Sequence, residues 1–227
     1  MSSRPPVFHA VTATAQEWRR VLEHLPIALL PLGSTCFHGY HLPYGTDPLI
    51  TAAAGEHLLK RFGGMLFPAL PFPESESAAA VVNHAVSGML ECGFRLVIVL
   101  GPPCRDLGSF ALSGIPDGIL PGNSVICTTL WEILKGGACA ELGSTLETSL
   151  MMRLHPSLVR LPALDDPAYG IQGIQGSPPQ LTASPQQGRI WFDAALDILT
   201  DMVHDALDGE SVKPAWYYAH KRGEMIL

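Results

Sequence analysis

The stretch Arg95-Leu-Val-Ile-Val-Leu100 decides the reading of the fold. Its five consecutive apolar residues, three of them β-branched, have strand length, and an unbroken apolar run implies a strand covered on both faces. Such strands belong to parallel sheets, whose crossover connections lay helices on each side. The flanking sequence fits. Upstream, Ser77 to Leu90 is Ala-rich with helical spacing and stops at Gly93. Further back, Ile27-Ala-Leu-Leu-Pro-Leu32 reads as another buried strand, Pro48 to Phe62 as a helix bounded by Gly63-Gly64, and Met65 to Leu70 as a further apolar segment. Downstream, Ser124 to Leu130 is a candidate strand and Glu147 to Leu154 a short helix. Trp191 to Leu207 is an amphipathic helix with Trp191, Ala195, Ile198, Met202 and Ala206 on one stripe. The predicted class is α/β: a single-domain layered fold with a mostly parallel sheet flanked by helices.

The length of 227 residues supports one core-forming domain. Residues 162 to 188 are rich in Pro, Gly, Gln and Ser, and too little chain follows for a second domain. They read as a long ordered loop near a site. Apolar residues make up 47% and charged residues 15%, against about 25% charged in an average domain, which excludes disorder. So few charges leave too little polar surface for a monomer, and a homo-oligomer is expected. No apolar run approaches the ~20 residues of a membrane span, so no membrane association is expected. With 14 basic and 21 acidic residues the net charge is −7, and no basic run occurs, so nucleic acid is not an expected partner. The five cysteines, at 36, 92, 104, 127 and 139, form no CxxC pair and fit a reducing compartment, with most of them expected as small core residues. Met1-Ser-Ser-Arg-Pro-Pro carries no signal-peptide pattern, and a cytoplasmic location is expected.

Chemistry concentrates in Leu30-Pro-Leu-Gly-Ser-Thr-Cys-Phe-His-Gly-Tyr-His-Leu-Pro-Tyr-Gly-Thr-Asp47, directly after a predicted strand. In open α/β sheets, ligands bind beyond the carboxyl ends of strands. On extended backbone, Cys36 and His38 project to the same side, and Asp47 can return to that space from the start of the next helix. Thiolate, imidazole and carboxylate make a sensible Zn²⁺ ligand set. A Cys or His in a Gly-rich turn is just as readily a structural residue, and spacing alone leaves both readings open.

The segment Leu30 to Asp47 resembles the creatininase, or creatinine amidohydrolase, family, whose pattern here is LPxGSxExHGxHLPxxTD. The shared positions are Gly33-Ser34, His38-Gly39, His41-Leu42-Pro43 and Thr46-Asp47. Phe67-Pro-Ala-Leu-Pro-Phe-Pro-Glu74 is similar to the family's proline-rich segment, and Gly93 to Gly101 to the strand before its GHGGN loop. Glu147-Thr-Ser is similar to its ETS helix, and Gly173 to Arg189 to its closing Gly-rich segment. The similarity covers roughly residues 20 to 207 of a single creatininase-like domain over 1–227, leaving 208–227 as a tail that could reach a neighbouring subunit. It implies a layered α/β fold, assembly into hexamers, and a two-metal centre that breaks or forms a C–N bond of a small molecule, often a lactam. Asp47 is implied as the carboxylate shared by the metals and His38 as a ligand of one of them.

This chain departs from the pattern at three functional positions. Cys36 stands where the family has a Glu ligand, Pro102 where the GHGGN loop supplies His, and Leu142 where a His precedes the ETS motif. Three readings follow. In the first, a rearranged single-metal site of His38, Asp47 and Cys36, with Glu147 as a further ligand or as a group supporting the ligands from behind, holds one zinc or manganese ion and retains amidohydrolase or cyclase chemistry, as in small-molecule biosynthesis. In the second, no metal is used and Cys36 is a nucleophile for acyl transfer or lactam formation, with His38 or His41 as base and Asp47 as orienter. In the third, the chain is a non-catalytic binding or scaffold relative. Tyr40, Tyr44, His41 and Cys104 are expected around a substrate, and Asp106 is a weaker carboxylate candidate.

Overall fold

Alternation along two strands explains the architecture. In β2 (Ile27–Gly33) and β5 (Leu96–Gly101) every residue is buried. Ile27, Leu29, Leu96, Ile98 and Leu100 enter one core; Ala28, Leu30, Leu32, Val97 and Val99 enter the other. Side chains of a strand point alternately to opposite faces, so both faces of this sheet are covered. The computed structural model describes residues 5–71, 76–101, 124–135, 142–168 and 170–222.

Four further strands, β1 (Val7–His9), β3 (Gly64–Leu66), β4 (Leu70–Pro71) and β6 (Ser124–Thr129), complete the described sheet. Its order is β1-β3-β2-β5-β6, with β4 paired to β2. All pairings among the described residues are parallel, so the expected mostly parallel sheet is found in its pure form. Helices α1 (Ala15–His24) and α3 (Glu76–Glu91) supply Val21, Val82 and Val86 to one core. On the other face lie α2 (Thr46–Phe62), α4 (Leu130–Lys135), α5 (Thr145–Leu154), α6 (Pro185–Leu207) and α7 (Ala215–Lys221). Among the described residues no helix is long and apolar enough to cross a membrane.

Several helices begin earlier than their apolar pattern. The cause is capping: helix starts are set by groups that satisfy the first free N–H donors, and these groups are polar. Ser144 caps α5 through Leu146 N, and Ser184 caps α6 through Gln187 N with Pro185 in the first turn, six residues before Trp191. The expected stripe of Trp191, Ala195, Ile198, Met202 and Ala206 is fully inside. Helix α1 carries a capping box, in which Thr14 N donates to Glu17 Oε2 and Glu17 N donates to Thr14 Oγ1.

The tail folds back on its own chain as α7. Tyr218 is buried; its hydroxyl donates to Asp205 and accepts from the Lys213 amide, while Arg222 pairs with Asp201. Trp216 and Tyr217 of the same helix are exposed. Most cysteines are expected in the core, but of the three described ones Cys92, just past α3, is exposed and Cys36 and Cys127 are half-buried.

Candidate active site

The site stands where sheet topology favours one. From β2 the chain passes to β3 on one side and later returns to β5 on the other, so the segment after β2 emerges at the switch point of the sheet. Close backbone approach then assembles the site. A Cβ on Gly33 would sit 2.4 Å from the Pro48 nitrogen, so a hydrogen at this position lets the end of β2 touch the first turn of α2. That contact brings Ser34 and Cys36 beside Asp47, the second residue of α2. Gly143, at φ 63°, packs against the His38 carbonyl oxygen, which a Cβ would approach to 2.5 Å, and this seats the start of α5 against the same segment.

Three donor atoms converge, one each from Cys36, His38 and Asp47, all within 4.8 Å of one another. Cys36 Sγ lies 3.3 Å from His38 Nε2, and that nitrogen lies 3.8 Å from Asp47 Oδ2. Ser34 Oγ donates to Asp47 Oδ2 at 2.5 Å and lies 3.5 Å from the Cys36 sulfur. His38, Asp47 and Glu147 are buried, whereas Cys36 is half-buried and forms the accessible edge of the cluster.

Of the two places expected for it, Glu147 takes the one behind a ligand rather than a place among the donors. Its Oε2 accepts from His38 Nδ1 at 2.9 Å and from the Gly143 amide at 2.7 Å, behind the imidazole. With Nδ1 carrying the proton, Nε2 faces Cys36 and Asp47 with its lone pair in the neutral ring. Burial opposes the charged form of His38, but the Glu147 hydrogen bond and the charges of Glu147 and Asp47 outweigh it, so the imidazole pKa is raised. Burial, reinforced by the Glu147 charge, pushes the Asp47 carboxyl up to about 6 against the opposing pull of His38 and Ser34. Asp47 Oδ1 and Glu147 Oε1 are buried without a partner among the described residues. The orphaned oxygen of Asp47, whose carboxylate stands beside a thiol and an imidazole, fits a cation, which would restore the interactions that burial removed.

The other expected residues distribute unevenly. His41 is completely buried, with Nε2 2.8 Å from Thr148 Oγ1. Burial, with the charge of His38, pushes its pKa down to about 4, which keeps the ring neutral. It braces the site loop against α5, one residue from Glu147. Tyr40 and Tyr44 are exposed and cluster on Phe37, with ring centroids 5.0 and 5.9 Å apart. Phe37 packs against Gly173, so the loop expected over residues 162 to 188 does border this segment. It is tied down by Gln175 N to the Leu142 carbonyl and by Thr145 N to the Ser177 carbonyl. Cys104, Asp106 and the Pro102 position lie outside the described residues. Ser34 and Thr148 stand inside the Gly33-Ser34 and Glu147-Thr-Ser stretches, but no role could be assigned to them there, since a hydroxyl acquires its role only from the partner that packing supplies.

Residues 12–98 match the family model described as Creatininase: Creatinine amidohydrolase. A mycofactocin precursor peptide peptidase from Mycolicibacterium smegmatis is 33% identical over 89 residues, which span 39% of this chain and 33% of that protein. A creatinine amidohydrolase from Pseudomonas putida is 21% identical, over 79% of this chain and 89% of that protein. A solved structure named Creatininase Mn superposes with a TM-score of 0.73 at 18% identity, covering 89% of this chain and 99% of that one.

Proposed function

We propose that this chain acts as a member of the creatininase family, whose model it matches over residues 12–98, and breaks or forms a C–N bond in an amide or lactam of a small molecule, at Cys36, His38 and Asp47. The observation that carries this reading is the convergence of those three donors within 4.8 Å, backed by Glu147 on His38. Cys36 Sγ, His38 Nε2 and a carboxylate oxygen of Asp47 would hold a single divalent ion, zinc or manganese. Such an ion supplies Lewis-acid polarisation of a carbonyl and a water of lowered pKa. Glu147 keeps the proton on His38 Nδ1 and fixes the ring plane. Ser34 restrains Asp47 Oδ2, which limits the positions its carboxylate can take.

Elemental mass spectrometry on protein purified without a metal-affinity tag tests the reading. About one zinc or manganese per chain, lost in both Cys36→Ala and Asp47→Ala, together with turnover of cyclic amides, is expected. A metal-free wild type with no such turnover overturns it. A homo-oligomer, hexameric by resemblance, a cytoplasmic location and one domain over residues 1–227 are parts of the same proposal.

One observation favours a second reading. Cys36 Sγ, His38 Nε2, His38 Nδ1 and Glu147 Oε2 stand in series, the order of a nucleophile, its base and an orienting carboxylate. Glu147, not Asp47, is the orienter in this version. The thiol proton would pass to His38 Nε2 as sulfur adds to the amide carbonyl. The C–N bond would break with that proton going to the leaving nitrogen, and water or an internal amine would then release the acyl group and restore the thiol. A metal-free enzyme that stays active and accumulates an acyl adduct on Cys36 by intact mass supports this version; activity surviving Cys36→Ala removes it.

A further inference from the structure

We propose that the Cys36–His38–Asp47 site is selective for a thiophilic ion of the zinc class over manganese, and that the Cys36 sulfur sets this selectivity. The inference rests on the single-metal reading above and concerns which ion that site takes. Three observations carry it.

The donor spacing comes first. Zinc bonds of roughly 2.0–2.3 Å to nitrogen, oxygen and sulfur place neighbouring donors of a tetrahedral site about 3.4 Å apart. Sγ to Nε2 is 3.3 Å and Nε2 to Oδ2 is 3.8 Å, so the chain presents these donors close to that separation. A set of three protein donors with an accessible edge has the form of a catalytic zinc site, which keeps its fourth position open.

Orientation is the second. His38 presents Nε2 to the cluster while Glu147 holds Nδ1, the carboxylate–histidine arrangement that fixes tautomer and ring direction for a metal. Asp47 is 1% exposed; its Oδ2 accepts from Ser34 while its Oδ1 has no partner among the described residues, so this buried carboxylate keeps accepting capacity that a cation would use.

Donor chemistry is the third. Carboxylate, carbonyl and water oxygens suit manganese and magnesium, imidazole suits zinc and its neighbours, and thiolate draws selectivity towards soft and borderline ions. The sulfur occupies the accessible edge, so exchange of this one donor changes ion preference without rebuilding the buried pair behind it. Any site of nitrogen, oxygen and sulfur binds zinc above manganese to some degree, so the diagnostic quantity is how far Cys36 widens the gap.

Competition dialysis of the full-length chain with zinc and manganese, and the absorption spectrum of the cobalt(II)-loaded chain, test this together. The wild type is expected to take one zinc or cobalt per chain and to show a near-ultraviolet thiolate-to-cobalt charge-transfer band. Cys36→Asp is expected to lose that band and to narrow the zinc-over-manganese preference by about tenfold or more, and Cys36→Ser to lose the band as well. Cobalt bound without the band, or an unchanged preference in Cys36→Asp, overturns the role of the sulfur while leaving a metal site. No ion bound by the wild type overturns the single-metal reading itself, and this inference with it. The band is read on the wild type alone, so that arm of the test does not depend on a variant folding.

Discussion

His38 Nδ1 lies 2.9 Å from Glu147 Oε2, although 109 residues separate them in the chain. The pair joins the segment after β2 to the first turn of α5, and both side chains are fully buried. It therefore supports the fold and sets the direction of the imidazole at once.

Glu147→Ala leaves His38 in a buried site without its partner and is expected to destabilise the protein by about 3–5 kcal/mol. Glu147→Gln retains the volume and an amide oxygen to accept from Nδ1, so a smaller loss of about 1–2 kcal/mol is expected, with metal affinity falling about 10–100-fold. Urea unfolding and metal dialysis on the two variants check both statements. Equal stability of Glu147→Ala and wild type would remove the supporting role.

Thr148→Val deprives the buried Nε2 of His41 of its 2.8 Å partner, at an expected cost of about 1–3 kcal/mol. Replacing both partners is expected to cost less than the sum of the single changes, because no buried polar atom is then stranded. A double-mutant cycle with His41→Leu measures the coupling, and additive losses would show that the two side chains do not support each other.

Gly143→Ala drives a methyl group into the His38 carbonyl at a backbone φ of 63°. The expected penalty is roughly 1–3 kcal/mol. The Gly143 amide donates to Glu147 Oε2, so displacement of this turn should also weaken metal binding. A chain that unfolds earlier in urea yet binds its ion unchanged would separate the turn from the site.

Tyr218 supplies a pH test of the tail. Burial, with Asp205 alongside, pushes its hydroxyl up to about 12 against the pull of the Lys213 amide. Between its ordinary value of 10 and about 12 the folded state holds a proton that the unfolded chain releases, so stability is lost as pH rises through that window. Tyr218→Phe is expected to flatten this alkaline loss, as followed by thermal unfolding at stepped pH. An unchanged slope would place its origin elsewhere.

Thiol reactivity should rank by burial. The Cys127 thiol is pushed up to about 12, mainly by burial and then by Glu132, and should resist alkylation, while exposed Cys92 should react first among the described cysteines. Peptide mapping after brief iodoacetamide treatment reads the order, and zinc is expected to slow labelling at Cys36 alone.

Patterning along the chain determined most of the architecture. The apolar run Leu96 to Leu100 announced a strand covered on both faces, and the stripe from Trp191 to Ala206 announced the face that α6 buries, because period-two and helical spacing encode burial locally. It also brought forward Cys36, His38 and Asp47, which lie within 11 residues of one another on either side of a strand-to-helix turn. The long-range half of the site could not be read this way. That Glu147 stands behind His38 rather than among the donors, that His41 is enclosed with Thr148 instead of facing a substrate, and that α7 docks on its own chain were decided by tertiary structure. Spacing states which side chains share a face of one element. Which nitrogen of an imidazole meets which carboxylate depends on the packing of two elements far apart in sequence, and here on glycines at 33 and 143 that let their backbones touch.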